Sequence, residues 1–566
     1  MSDVKKVLVL DDRLNCSSEM TYAVVKGAQS MNPASFQAVS ASTSSHVYNI
    51  QTPSEQTIID RRVLWRSTIT LAITGTAPAG QYLINYGLTD ALSAFPLHQL
   101  ANVMSVVINN NSVSLQVRDV LPALLRFNDR RELTRYNGYT PTAFDTYFSY
   151  ADGVGANNNV LGAWGNTSDN DLTNRGSWVL ESVIDVATGN APLPSTGAAQ
   201  TLNVRFTVSE PLLISPFISC KPVSNNQGFY GIQNMTMTFS MGDASRVWRT
   251  ASPFAKAVSV VGYSNSQLLF NFLTAHSSLM LPSKNVVPYQ EFPRYITSFN
   301  GAAIASGASY SARSSTIQLN TIPDKLIMFV RKVIGEQTSA DSDCVLALSG
   351  DNPVSIQFNN VSGLLSSATQ QDLYRYATEC GYNGSWFEFS GNANMYNSAT
   401  GIGRVVPTSG AFVVLEFGTH IPLNEEYYAA GSLGSFSLQV NMNVRNQGAA
   451  TLTNAELVII TMNSGAFVCE RGASSTFTSL LTKADVLEAS AQQPYFQSDA
   501  QRLVGGSFLD SLRSIIGRVL PILAPMGKEY LSRQGALGDA ASKVIGALGY
   551  GQSGGKMSKL HERMMK

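Results

Sequence analysis

Strict alternation of apolar and polar side chains over short runs constrains this chain more than any other feature. Phe436, Leu438, Val440, Met442 and Val444 stand at every second position, with a polar residue at each position between. Successive side chains of a β-strand point to opposite faces, so a period of two marks a half-buried strand. The same period recurs at Ile69, Leu71 and Ile73, at Leu202, Val204, Phe206 and Val208, and at Met235, Met237, Phe239 and Met241. It dominates from about residue 55 to about 465. Many short strands separated by Gly, Pro and Asn loops predict an all-β body of sandwiches or barrels, and exclude βαβ units.

Helical periodicity is scarce within that body. Two short helices are predicted, one over 120–126 and one over 367–380, where Leu373, Tyr376, Ala377 and Cys380 fall at helical spacing. Each follows a similar phrase, Ile108-Asn109-Asn110-Asn111-Ser112 in the first half and Phe358-Asn359-Asn360-Val361-Ser362 in the second. Asn tolerates the positive φ of a tight turn, so each phrase reads as a hairpin turn. A strand, an Asn turn and a short helix occurring twice suit two copies of one sandwich, although so short a match leaves coincidence equally open. The pattern divides the chain into an N-terminal arm (1–55), a first sandwich (56–250), a Pro-spotted linker (251–293), a second sandwich (294–470) and a C-terminal tail (471–566).

The tail differs in kind. Phe508, Leu512, Ile515, Ile516, Val519 and Leu523 form one helical stripe, and Leu537, Ala540, Ala541, Val544, Ile545 and Leu548 a second, each on one face. A Gly-rich stretch and a basic end follow. From Gln501 onward there are ten Lys and Arg (Arg502, Arg513, Arg518, Lys528, Arg533, Lys543, Lys556, Lys559, Arg563 and Lys566) against four acids. The whole chain has 39 of each sign, so the body is mildly acidic. A basic tail on an acidic body points to an anionic partner for the tail.

Charged residues are 14% of the chain, well below the roughly 25% of an ordinary soluble protein. Low charge suits a surface covered by neighbouring molecules, because few ions then need desolvating. A secreted β-sandwich has similar composition, and composition alone does not separate the two. The five cysteines, Cys16, Cys220, Cys344, Cys380 and Cys469, are scattered singly; they indicate neither a disulfide framework nor a zinc site and read as buried thiols. Val7-Leu8-Val9-Leu10 is too short an apolar run for a signal peptide, and no stretch approaches the ~20 apolar residues of a membrane span.

No chemistry is legible. The five histidines, His46, His98, His276, His420 and His561, are isolated from one another and from cysteines or paired carboxylates. Gly551-Gln552-Ser553-Gly554-Gly555 has the letters of a nucleophile elbow but lacks the strand-to-helix setting. Gly555-Lys556 lacks the preceding Gly and following Ser or Thr of a P-loop, since Tyr550 and Met557 stand there. Gly401-Ile402-Gly403 lacks a third glycine, and Asp169-Asn170-Asp171 lacks the central Gly and terminal Glu of a calcium loop. The expectation is a protein without catalytic residues, cofactor or metal.

Several phrases in order carry a resemblance. Ser209-Glu210-Pro211-Leu212-Leu213-Ile214-Ser215-Pro216-Phe217 is followed by Gly228-Phe229-Tyr230-Gly231-Ile232-Gln233-Asn234 and by Ser245-Arg246-Val247-Trp248. The second half has Ile322-Pro323-Asp324-Lys325-Leu326-Ile327-Met328-Phe329-Val330-Arg331, then Ser362-Gly363-Leu364-Leu365-Ser366-Ser367, then Leu415-Glu416-Phe417-Gly418-Thr419-His420-Ile421-Pro422-Leu423. Over roughly residues 55 to 465 the chain resembles the double jelly-roll major capsid proteins of polinton-like viruses, adintoviruses and virophages.

That resemblance implies two tandem eight-stranded antiparallel jelly rolls with short inserted helices. It implies a homotrimer forming a pseudo-hexameric capsomer, and an icosahedral shell around the genome. It also implies residence in the virion, synthesis inside the host cell, and a penton or other minor capsid protein as a further partner. The family has no catalytic residues to carry over, and the long basic tail departs from its pattern. Three destinations are open to that tail and its ten basic residues: packing against the base of neighbouring subunits, then the genome, then an internal membrane. Trp164, Trp178, Trp248, Trp386, Tyr427 and Tyr428 are candidate interface anchors, against the commoner use of aromatics as core. The rivals are a secreted or surface β-sandwich binding module, such as an adhesin or lectin, and a single jelly-roll capsid protein with a protruding domain.

Overall fold

A computed structural model describes residues 29–486 except 87–88, 129–132, 134–139, 143, 151–178, 218–227, 276–280, 397–402, 424–427, 471, 479–480 and 483. The first half builds nine principal strands: β1 (Gln29–Gln37), β2 (Ser45–Gln51), β3 (Leu64–Gly75), β4 (Ala101–Ile108), β5 (Asn111–Leu115), β6 (Val179–Asp185), β7 (Gln200–Pro211), β8 (Asn234–Met241) and β9 (Lys256–Ala275). All pairings between them are antiparallel. One sheet runs β1-β9-β3-β7-β6 and the facing sheet β2-β8-β4-β5. Setting aside the extra edge strand β6, chain order places strands one, eight, three and six in one sheet and two, seven, four and five in the other. That is the strand order of a jelly roll, which limits free edges by folding its two sheets into one wedge.

The second half repeats it. Its strands are β10 (Asn285–Glu291) with β11 (Arg294–Ile304), β12 (Ser309–Arg313) with β13 (Ile317–Thr321), β14 (Lys325–Lys332), β15 (Val354–Phe358), β16 (Val361–Leu364), β17 (Val413–Glu416), β18 (Leu433–Arg445) and β19 (Leu452–Glu470). β10 and β11 both pair with β19, which pairs with β14, which pairs with β17; β12 and β13 both pair with β18, then β15 and β16. Counting each split strand once gives the same two orders. An added strand, β20 (Ala473–Thr478), pairs with β19.

Alternation in the sequence becomes burial in the fold. Phe436, Leu438, Val440, Met442 and Val444 are buried, as are Met235, Met237, Phe239 and Met241 with polar neighbours exposed between them. The helices α1 (Pro96–Leu100) and α2 (Val117–Phe127) belong to the first roll, α3 (Gln370–Glu379) and α4 (Trp386–Ser390) to the second. A capping box holds the start of α3, the Thr369 side chain accepting from the Asp372 amide while Asp372 reaches back to Thr369.

The repeated Asn phrase marks one device in both rolls. Asn109 and Asn359 follow the fourth strand of their rolls and adopt positive φ, 52° and 51°. In both, the backbone amide donates to a carbonyl of the seventh strand, at Asn234 and Ser437. In both, the side-chain oxygen accepts from an amide at that strand, Gln233 N–H at 2.9 Å and Ser437 N–H at 3.2 Å.

Two expected boundaries are corrected. Residues 29–51 are not an arm but the first two strands of the first roll, β1 and β2. Polar β1 is an edge strand that needs only Ala34 and Phe36 against the core and carries Pro33, which edges tolerate. The stretch 251–293 is not a linker either. It contains β9, the eighth strand of the first roll, and β10, the first of the second. Register shifts at Val260/Gly262 and Ser264/Gln267 break the alternation of β9, and Pro288 sits within edge strand β10.

Candidate assembly surfaces

The two rolls meet along a buried ionic seam built around α2. Asp119, in its first turn, is paired with Arg331 of β14 at 2.6 Å and with Arg294 of β11 at 2.9 Å. Arg331 reaches on to Glu456 of β19 at 2.7 Å. At the other end of α2, Arg126 donates to Asp343 at 2.8 Å and lies over the Phe412 ring at 4.3 Å. Arg246 pairs with the second oxygen of Asp343 at 3.3 Å, and Arg249 donates to the Asp341 carbonyl at 2.6 Å. Arg126, Arg249 and Arg331 are among the largest fully buried side chains of the protein.

Buried charge on this scale requires pairing, because an uncompensated ion in the interior costs several kcal/mol. Burial alone would raise the Asp343 carboxyl, but Arg126, Arg246 and Arg249 outweigh it and hold the group below its ordinary value. Burial pushes Arg246 down to about 10, opposed by Asp343, so it stays charged at neutral pH. The buried apolar clusters of the two rolls are continuous across this seam. Sequence reasoning missed every member of it. Asp119 and Arg331 are 212 residues apart, and no local pattern joins them.

The expected site residues divide. Arg502, Arg513, Arg518, Lys528, Arg533, Lys543, Lys556, Lys559, Arg563 and Lys566 lie outside the described residues, as do the two helical stripes of the tail, Trp164, Trp178 and Tyr427. Trp248, a candidate interface anchor, takes the commoner core role: it is fully buried within the first roll and donates its indole N–H to Asp90 at 3.0 Å. Trp386 stacks near Phe389 and Tyr374, and Tyr428 packs edge-on against Phe436. Trp248 is core, whereas Trp386 and Tyr428 are half-buried at its margin.

Folding does bring some reactive side chains together. Cys380 Sγ lies 3.8 Å from His420 Nδ1, and His420 Nε2 lies 3.4 Å from Glu379. The arrangement does not activate sulfur. His420 Nδ1 already accepts the Glu416 amide at 3.1 Å, and burial pushes the thiol up to about 11. His46 sits 3.1 Å from Ser266 Oγ inside the first roll, where burial lowers it to about 4 and leaves it neutral. Among the described residues no cluster of three His, Cys, Asp or Glu is arranged for a metal, and no described helix is long and apolar enough to cross a membrane.

Comparison with known proteins fits this geometry. The family model described as Sputnik virophage major capsid protein 1st domain matches residues 2–281, and that described as Major capsid protein V20 C-terminal domain matches 292–465. The two meet between β9 and β11, where one roll gives way to the next. The chain belongs to the virophage major capsid protein family. It is 27% identical over 535 residues to the putative capsid protein V20 of Sputnik virophage, covering 91% of this chain and 86% of that one.

A chain of the 3.5 Å cryo-EM structure of the Sputnik virophage superposes with a TM-score of 0.74 at 26% identity, covering 88% of this chain and 98% of that one. The mavirus major capsid protein shares the fold alone, with a TM-score of 0.68 at 12% identity over 87% and 99% of the two chains. The protein is thus a virophage-type major capsid protein with the double jelly-roll fold. A single roll with a protruding domain is excluded by the shared strand order, and nothing supports a secreted binding module.

Proposed function

We propose that this capsid protein trimerises into pseudo-hexameric capsomers and that these tile an icosahedral shell around a genome. The carrying observation is the seam. Two rolls of identical strand order are locked side by side by paired buried charges, so each chain contributes two like wedges in one fixed relation. Three chains then offer six, which is the geometry hexagonal packing needs. Closure of a shell also needs fivefold positions that such a capsomer does not fill, so a penton or other minor capsid protein is the expected partner. The role is structural and requires no catalysis, cofactor or metal.

The purified chain tests this by size exclusion with light scattering and by negative-stain microscopy. Trimers or shells support the reading; a monomer that persists at tens of micromolar overturns it.

For the tail we propose packing against the bases of neighbouring subunits, with its ten basic residues turned to the particle interior. Phosphate neutralisation would be the second role and an internal membrane the third. Its supports are the paired apolar stripes and the concentration of positive charge. Deleting residues 505–566 should leave trimers intact while impairing shell closure or genome content. Wild-type particle yield and packaging from the truncated chain would sink it.

A further inference from the structure

The seam exists once within the chain, yet the parts that make it exist twice. In the first roll, α2 begins at Val117, so Asp119 is its third residue and Arg126 its tenth. Both side chains are 1% exposed, pressed against the second roll. In the second roll, α3 begins at Gln370, so its third residue is Asp372 and its tenth Glu379. These are 37% and 55% exposed, held only by local contacts to Thr369, Arg375 and His420. Charged side chains stand at equivalent positions of equivalent helices, buried in one case and open in the other. Arg375, 60% exposed, lies between them.

The receiving surface shows the same asymmetry. β14 is the third strand of the second roll and is buried on both faces from Leu326 to Arg331, because the first roll covers its outer side. Its counterpart β3 buries Trp65, Ile69, Leu71 and Ile73 on the core face; on the outer face Thr68 is buried beside Thr207, while Arg66, Thr70, Ala72 and Thr74 are half-buried or exposed. Beside β3, the outer sheet surface carries Val261 of β9, 51% exposed, and Ile184 of β6, 40% exposed. It also carries the Arg205–Glu181 pair at 2.6 Å. Among the described residues, then, this face is covered in the second roll and more open in the first.

We infer that the outer face of the β1-β9-β3-β7-β6 sheet is a docking surface for α3 of a second copy of this chain, repeating between subunits the contact that α2 makes within one. The match is one of charge and shape class. Asp372, Arg375 and Glu379 alternate in sign along α3, and Arg205 with Glu181 offers both signs on the sheet beside the apolar Val261 and Ile184. The surface is polar, unlike β14, so this interface is wetter and weaker than the internal seam. The inference rests on the trimer reading and names the surfaces that reading would use.

A photocrosslinker attached through Arg375→Cys tests it in the full chain, on a Cys16→Ser/Cys220→Ser background. Trimers assembled from mixed light- and heavy-isotope chains are irradiated, and crosslinked peptides are mapped by mass spectrometry. The expected result is inter-chain attachment within residues 64–75, 179–186, 200–211 or 256–264. As a second measurement, Arg375→Glu/Glu379→Arg and, separately, Ile184→Asp/Val261→Asp should each lower the trimer fraction at least tenfold at fixed concentration. Leu193→Asp, at a still more exposed apolar residue, should not. Trimers that form and crosslink elsewhere overturn the docking surface and leave the trimer reading standing. Absence of trimers in the unsubstituted chain overturns both.

Discussion

Asp119 of the first roll and Arg331 of the second form a 2.6 Å ion pair in which neither side chain reaches solvent. The pair defines how the two rolls are joined. Asp119 sits in the first turn of α2, where backbone amides and the helix dipole also favour a carboxylate. Removing one partner of such a pair is worse than removing both, because the survivor stays buried without compensation. Asp119→Ala leaves Arg331 with Glu456 as its carboxylate and Arg294 with only the neutral Gln116 side chain. The expected cost is about 3–5 kcal/mol, read from chemical denaturation, with the two rolls losing their common unfolding transition before either loses its strands.

Acid should open the same seam from its other end. Asp343 is held below its ordinary value by Arg126, Arg246 and Arg249, against the opposing effect of burial. A carboxyl lowered in the folded state contributes stability that is fully present above its unfolded value, near 3.8, and is lost as pH falls through the folded value. Melting temperature should therefore fall steeply below about pH 4. Asp343→Asn should be less stable at neutral pH and show a flatter acid limb. A parallel pair of pH profiles would remove Asp343 from the account.

Strand β20 is fastened at Gly465. A Cβ at that position would lie 1.9 Å from the Phe477 carbonyl oxygen, a backbone atom with nowhere to go. β20 also ties the second roll to the first, since Ser474 N–H donates to Asn110 Oδ1 at 2.9 Å. Gly465→Ala is expected to displace β20 at a cost of about 1–3 kcal/mol. Hydrogen exchange would show it as lost protection over 473–478 with the strands of the first roll unchanged.

What the sequence reveals depends on how locally each feature is encoded. β18 and β8 are legible because one face of each is core and the other is not, so burial writes itself as alternation. β14 reads as alternation at Leu326, Met328 and Val330, but the positions between them are buried too, because the seam covers its outer face. β1 and β9 escaped for opposite reasons: the first is an edge strand with few apolar positions, the second is long and bulged. Trp248 illustrates the ambiguity of aromatics, whose sequence signature is the same in core and interface. The seam was invisible because its members come from α2, from loops, from β11, β14 and β19 and from the short strand Trp248–Thr250, and pairing between distant charges leaves no period. Even the low overall charge misled in part, for some of the few charges present are inside.

The clearest trace of duplication, the Asn turn, makes the last prediction. Asn109 and Asn359 each contribute two separable things, a left-handed backbone that Asn and Gly accept more readily than Ala, and a side-chain oxygen that holds the seventh strand. Asn→Gly at either site keeps the backbone and loses the bond, which is worth about 1 kcal/mol. Asn→Ala loses the bond and adds the strain of a left-handed residue with a Cβ, about 1–2 kcal/mol more. The two turns belong to different rolls and share no partner, so the double Asn109→Gly/Asn359→Gly variant should lose the sum of the single losses to within about 0.5 kcal/mol. Equilibrium unfolding of the four-member cycle measures this. A larger coupling would mean that the rolls communicate through their turns as well as through Asp119 and Arg331, and a Gly variant as damaging as Ala would show that the side-chain bond alone matters.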